Sequence, residues 1–185
     1  IKGIAAASDG KGKGIAAPDK EEQVSAFRRC HEKIKSEFSP GMVQFIEAHG
    51  TGTTVGDAVE MDTLREVYNQ GKAIGVSTIK SQIGHLLGAA GMAGMIKTLL
   101  ALNHQTLPPN GTFEKISSKI EIADSPLFVL SDAKPWEAPA NGPRMAAVSS
   151  YGFGGINYHA VVSEFNPADT TLSRRIFSDL DHDPN

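Results

Sequence analysis

The sequence predicts an α/β fold on a mixed sheet. Short β-branched runs alternate with amphipathic helical segments, two of these runs end in glycines with a histidine among them, and a pair of strands closes the chain. Ile1–Ser8 reads as the first strand, and the glycine-rich stretch Asp9–Gly14 as a turn. Pro18 and Asp19 open a helix predicted to reach Phe38, because Val24, Phe27, Ile34 and Phe38 share one face and Ser39-Pro40-Gly41 follows as a stop. Met42–Ala48 is a buried strand. Gly56 and Asp57 start the next helix, with Asp57 and Glu60 as an acidic capping box and Met61, Leu64 and Tyr68 as its buried stripe. Ala73–Ile79 is a second buried strand, and Leu86–Asn103 a Gly/Ala-rich helix. Pro108–Gly111 is a loop, Phe128–Leu130 a short strand, and Pro135–Pro143 a turn region holding Trp136. Arg144–Ser150 and Asn157–Ser163 are a strand pair joined by Tyr151–Gly155. Residues 1–165 form one domain, and 166–185, which lose periodicity, a linker or disordered tail.

Of the 185 residues, 40% are hydrophobic and 21% charged, with a formal net charge of -3, the composition of an ordinary globular domain. The slight acidity and the lack of a Lys/Arg run argue against a nucleic-acid partner. The apolar stretch Leu86–Leu102 contains Lys97 and falls short of the roughly 20 apolar residues a bilayer requires, so no membrane partner is expected. A single cysteine, Cys30, rules out an internal disulfide and points to a reducing, cytoplasmic setting. The chain begins with Ile1, already in strand-like sequence, and is expected to be a piece of something longer.

The chemistry-bearing residues sit where buried strands end. Val43–Thr53 runs from a strand into His49-Gly50-Thr51-Gly52-Thr53, and Val76–His85 carries Lys80 and His85 around a second strand exit. Glycines there permit tight turns and close approach of another group. The loop Gly50–Gly56 has the look of a dinucleotide-binding turn. Asp57 and Glu60 at the helix start would repel a phosphate, however, and no acid between Glu66 and Glu114 is available to a ribose. A zinc site from His49, His85 and His159 lacks ligand spacing. Cys30 falls on an apolar helix face and reads as structural, His31 and His182 read as surface residues, and His104 lies at the C-terminal dipole of a helix.

Three long motifs in order resemble β-ketoacyl synthases. They are Glu47–Thr53 with Gly56, Asp57 and Glu60; Lys80–His85 followed by Gly88–Gly91; and Ser149–Asn157. Asp9–Pro18 and Pro108–Asn110 agree with the family as well, and the resemblance runs from Ile1 to about Phe165. It implies a thiolase-like layered αβαβα fold, of which this chain is the C-terminal half, of the multidomain polyketide or polyunsaturated-fatty-acid type. It implies decarboxylative Claisen condensation of a malonyl-type thioester with an acyl-enzyme. The substrates are carried as phosphopantetheine thioesters on an acyl carrier protein, with no cofactor or metal in this chain. The nucleophilic Cys belongs to a missing N-terminal half, and the complete enzyme is a homodimer. His49 and His85 correspond to the donors to the thioester oxygen, Lys80 to the lysine that organises the site, and Thr51 and Thr53 to the threonines on the pantetheine arm. Phe153, with Gly154 and Gly155, corresponds to the gating turn whose backbone forms part of an oxyanion hole. Some relatives carry a Glu nine residues after the second histidine as partner of the lysine; this chain has Gly94 there, leaving that partner open. Gln82, Ala58, Ile156 and Tyr158 also depart from the usual pattern without removing a catalytic group. The alternative is a non-catalytic ketosynthase-like subunit that sets chain length or scaffolds a partner.

Overall fold

The computed structural model describes residues 1–10, 17–70 and 72–166. Apart from Asn166, the tail expected from 166 onward, with His182, lies outside these residues, as does the part of the first turn beyond Gly10. A six-stranded mixed sheet has the order β1 (Gly3–Ser8), β8 (Ile156–Ser163), β7 (Met145–Gly152), β2 (Phe45–Glu47), β3 (Ile74–Ser77), β5 (Leu127–Val129). The last four of these run parallel, while β8 is antiparallel to both β7 and β1.

Strand alternation sorts the core into two layers. Ile46, Ala147 and Val161 face α1 (Lys20–Lys33) and α2 (Thr54–Val67), whose Phe27, Cys30, Met61 and Leu64 complete that cluster together with Tyr68, the residue capping α2. Their neighbours Phe45, Ala146 and Val162 face α4 (Ala90–Asn103), which contributes Ala101 and Leu102. Cys30 is a fully buried free thiol, and burial pushes its pKa up to about 11.

Asp19 caps α1, its carboxylate accepting from Glu21 N–H at 2.9 Å. This helix ends at Lys33 rather than Phe38. Lys33 Nζ donates to Ile4 O, and the chain then unwinds through a turn that still delivers Ile34 and Phe38 to the core. The long C-terminal helix begins at Ala90, preceded by a 3-10 turn over Leu87–Ala89. Trp136 lies in the α4 layer against Phe45, tied down by a small ladder of β4 (Thr106–Leu107) and β6 (Lys134–Pro135) that the sequence does not advertise.

His31 is not a free surface residue. Its Nε2 lies 3.1 Å from Tyr68 Oη, which lies 2.7 Å from Nε2 of the fully buried His159. His159 Nδ1 pairs with Ser149 Oγ at 3.1 Å, and its ring stacks on Phe27, so it is far from being a ligand beside His49 and His85. Burial holds His31 down at about 4 and His159 well below the usual imidazole range. Both are neutral when folded but take up protons below about 6.5 when unfolded, so their contribution to stability is lost as pH falls from that value towards 4. Tyr68→Phe strips two imidazole nitrogens of their shared partner. It is expected to cost about 1–3 kcal/mol, read from the urea midpoints of parent and variant.

Candidate active site

Both histidines lie beyond the C-terminal ends of parallel strands, His49 directly and His85 after a short helix; each ring is held through Nδ1, and His49 through its backbone as well. His49 follows β2. Its N–H donates to Glu60 Oε1 at 2.7 Å, and Gly50 N–H donates to Oε2 at 2.8 Å. Glu60 is therefore no part of a capping box: α2 begins at Thr54, and the Glu60 carboxylate reaches back to clamp the histidine turn. Asp57, equally, accepts from Gly52 N–H at 3.1 Å. Gly50 adopts φ +46°, and a Cβ there would lie 2.8 Å from Thr78 Cβ, so glycine is required where β2 and β3 exit side by side.

Tyr151 N–H donates to His49 Nδ1 at 3.3 Å, and Leu87 N–H donates to His85 Nδ1 at 3.0 Å. A nitrogen that accepts an N–H carries no proton, so in both rings the proton resides on Nε2. Burial, followed by the charge of Lys80, depresses His49 to about 3, so this ring stays neutral across the physiological range. The two rings stand 5.5 Å apart, centroid to centroid, at 84°.

Both line one cavity of about 650 Å³, together with Thr51, Thr53, Phe153 and Gly155. The threonine hydroxyls lie 3.2 Å apart at its wall. Gly155 has φ +76°, and a Cβ there would come within 2.7 Å of Asp9 Cβ. Asp9 N–H bonds Gly155 O and Asn157 Nδ2 donates to Asp9, so the glycine turn is pinned to the end of β1. Gly154, at φ +93°, belongs to this turn without lining the cavity.

Lys80 is separate from this wall. Instead of ending β3 it starts α3 (Lys80–Ile83), and it borders a second cavity of about 480 Å³ that shares Thr51 and Glu60 with the first. Burial lowers its pKa, while the nearby carboxylates of Glu60 and Glu47 favour its charge. Thr78 N–H, just upstream, is fixed by Asn110 Oδ1 at 2.8 Å.

Sequence reasoning gave no role to Glu47 or Lys97, which form a buried ion pair at 2.7 Å. The available signal was one acidic residue in an apolar strand and one base in an apolar helix, since lone charges in such segments persist only when paired. The backbone N–H of Tyr151 and the clamp by Glu60 had no signal beyond their place in the motifs.

A mixed sheet between helical layers, with two imidazoles brought together beyond the ends of adjacent parallel strands, is a thiolase-like arrangement. The chain belongs to the β-ketoacyl synthase family, matching the model for "Beta-ketoacyl synthase, C-terminal domain" over residues 1–114. It is 39% identical over 183 residues to a polyunsaturated fatty acid synthase polypeptide of Thraustochytrium, covering 94% of this chain and 6% of that protein. It is also 39% identical over 163 residues to polyketide synthase PksL of Bacillus subtilis, covering 86% of this chain and 4% of that protein. The ketosynthase from module 6 of the Bacillus subtilis bacillaene synthase superposes with a TM-score of 0.85 at 38% identity, over 90% of this chain and 30% of that one. An oxazolomycin ketosynthase domain of Streptomyces albus gives 0.85 at 32% identity, again over 90% and 30%. The chain thus spans under a third of these ketosynthase structures and a far smaller share of the curated synthases.

Proposed function

We propose that this chain supplies the histidine-bearing C-terminal part of a β-ketoacyl synthase active site and stabilises the enolate formed when a malonyl-type thioester loses carbon dioxide. The observation that carries this reading is the pair of Nδ1-accepted imidazoles, which leaves two Nε2–H donors on one cavity. Decarboxylation breaks the bond between Cα and the carboxylate carbon, and the electron pair moves through Cα onto the thioester oxygen. Two preorganised N–H donors at that oxygen favour the charge as it develops. The enolate carbon then attacks an acyl thioester, whose thiolate departs. Lys80 biases the local field. Thr51 and Thr53 hold the pantetheine arm of an acyl carrier protein, and the Phe153–Gly155 turn gates the acyl group and directs backbone N–H towards it.

The nucleophilic thiol comes from a second, N-terminal half, because Cys30 is enclosed on the α1 side of the sheet. That half docks on α4, whose Met92, Ile96, Leu99 and Leu100 expose an apolar face. The ketosynthase part extends over residues 1–165 and works as a homodimer in the cytoplasm, where a lone cysteine stays reduced. No metal or cofactor takes part in this scheme. Decarboxylation of a malonyl pantetheine thioester by the complete domain, assembled from this chain and its Cys-bearing half, tests the proposal. Product formation supports it, and a folded assembly that binds the thioester without decarboxylating it favours the chain-length or scaffolding alternative and overturns it.

A further inference from the structure

One carboxylate ties together the three segments that build the site. Glu47, 1% exposed, ends the strand that leads to His49. Its Oε1 accepts from Ile79 N–H at 2.6 Å, immediately before Lys80, and its Oε2 accepts from Lys97 Nζ of α4 at 2.7 Å. Lys97 Nζ also reaches Ser77 Oγ at the end of β3, at 2.5 Å. From Ile79 the connection continues: Gly84 N–H bonds Lys80 O at 3.0 Å, closing the short helix just before His85. Lys80 Nζ forms no hydrogen bond of its own among the described residues. Lys80 is thus placed only through its backbone, which follows directly on the Ile79 N–H that Glu47 holds.

Gly94 makes this arrangement possible. A Cβ at that position would lie 3.0 Å from Glu47 Cγ and 3.4 Å from Oε1. The helix withholds a side chain so that the acid can enter from the strand side instead.

We propose that Glu47, paired with Lys97, is a positioning residue that latches the Lys80–His85 turn to the His49 strand. The inference rests on the function proposed above for His49, Lys80 and His85. A buried pair of this kind adds little net stability compared with apolar replacements, so its retention calls for a role such as this one.

The test uses the complete ketosynthase domain and paired substitutions, since removing one partner alone strands a buried charge. Glu47→Leu with Lys97→Met keeps the core filled but leaves Ile79 N–H without an acceptor. Glu47→Gln with Lys97→Met keeps an oxygen for that N–H. Expected for the leucine pair is a kcat for malonyl-thioester decarboxylation at least tenfold lower, with KM within about twofold and faster amide exchange at Ile79. The glutamine pair is expected to recover both. Gly94→Ala, which improves helix propensity yet crowds Glu47, is expected to lower kcat at least threefold without lowering the melting temperature.

A folded leucine pair with parental kcat and parental Ile79 exchange overturns the latch. If the leucine pair does not fold, Gly94→Ala decides by the same two readouts. A complete parental domain with no decarboxylase activity overturns the proposed function instead, and Ile79 exchange still decides the latch.

Discussion

His85→Ala in the complete ketosynthase domain is expected to reduce malonyl-thioester decarboxylation by about 10²–10³-fold, the loss of one preorganised donor to a developing oxyanion. His49→Ala is expected to match it. The double variant is expected to fall little further than either, because two donors on one oxygen act as a unit. The loss belongs in kcat, since the charge they meet arises in the transition state. His49→Gln should lose less than His49→Ala only if its amide nitrogen takes the Nε2 place. The pH profile separates donation from acid–base work. His49, at about 3, is already deprotonated across the assay range. No acid limb from this ring is expected between pH 5 and 8, as a neutral N–H donor requires. Stopped-flow or radiolabelled carbon dioxide release measures both effects. A His85→Ala domain with unchanged turnover overturns the assignment.

The parts of this fold legible in the sequence are those in which local pattern and tertiary environment agree. Ile46, Val76 and Val161 sit in short apolar runs bounded by glycines or polar residues, and these runs became β2, β3 and β8. The closing hairpin was legible from its glycines, but its turn is tighter than Tyr151–Gly155: Tyr151 and Gly152 continue β7, and Phe153–Gly155 alone turn. The failures share a cause: a polar side chain can serve a distant segment, and spacing does not reveal which. Glu60 lies at capping-box spacing from Asp57, yet its partners are the N–H groups of His49 and Gly50. His31 lies on a charged helix, yet its ring finds Tyr68 at the end of another. Lys97 breaks an apolar helix and read only as an obstacle to membrane insertion; its partner Glu47 lies on a strand. The glycine at 94 was legible as a departure, whereas the acid that fills its space from the opposite side required three dimensions. The family motifs compensate here, since they carry residues whose geometry no local rule supplies.

Glu60 supplies the second large effect. Its carboxylate accepts from two successive backbone N–H groups at a turn where Gly50 already holds φ +46°. Glu60→Ala orphans both donors, at roughly 2–6 kcal/mol by the cost of two unmade buried bonds. The His49 ring, which depends on that turn, is expected to lose its alignment, so decarboxylation falls by more than the folded fraction explains. Glu60→Gln keeps the shape but sets an NH₂ against one of the donors, for about 1–3 kcal/mol. The pH dependence has a definite sign. Burial pushes Glu60 up to about 7, opposed by the two N–H groups, whereas the unfolded chain titrates near 4.5. Between these values the folded state holds the extra proton. The group therefore favours folding most below the unfolded value, and that contribution is lost as pH rises through about 7. Glutamine does not titrate. The stability gap between parent and Glu60→Gln is expected to be wider at pH 5 than at pH 8, on the order of 2–3 kcal/mol for a fully buried carboxyl. Urea denaturation of both domains at the two pH values reads it, with the histidine contributions common to parent and variant cancelling. An equal gap at both values would mean that Glu60 remains ionised throughout, an anion held by the His49 turn and Lys80 against its own burial.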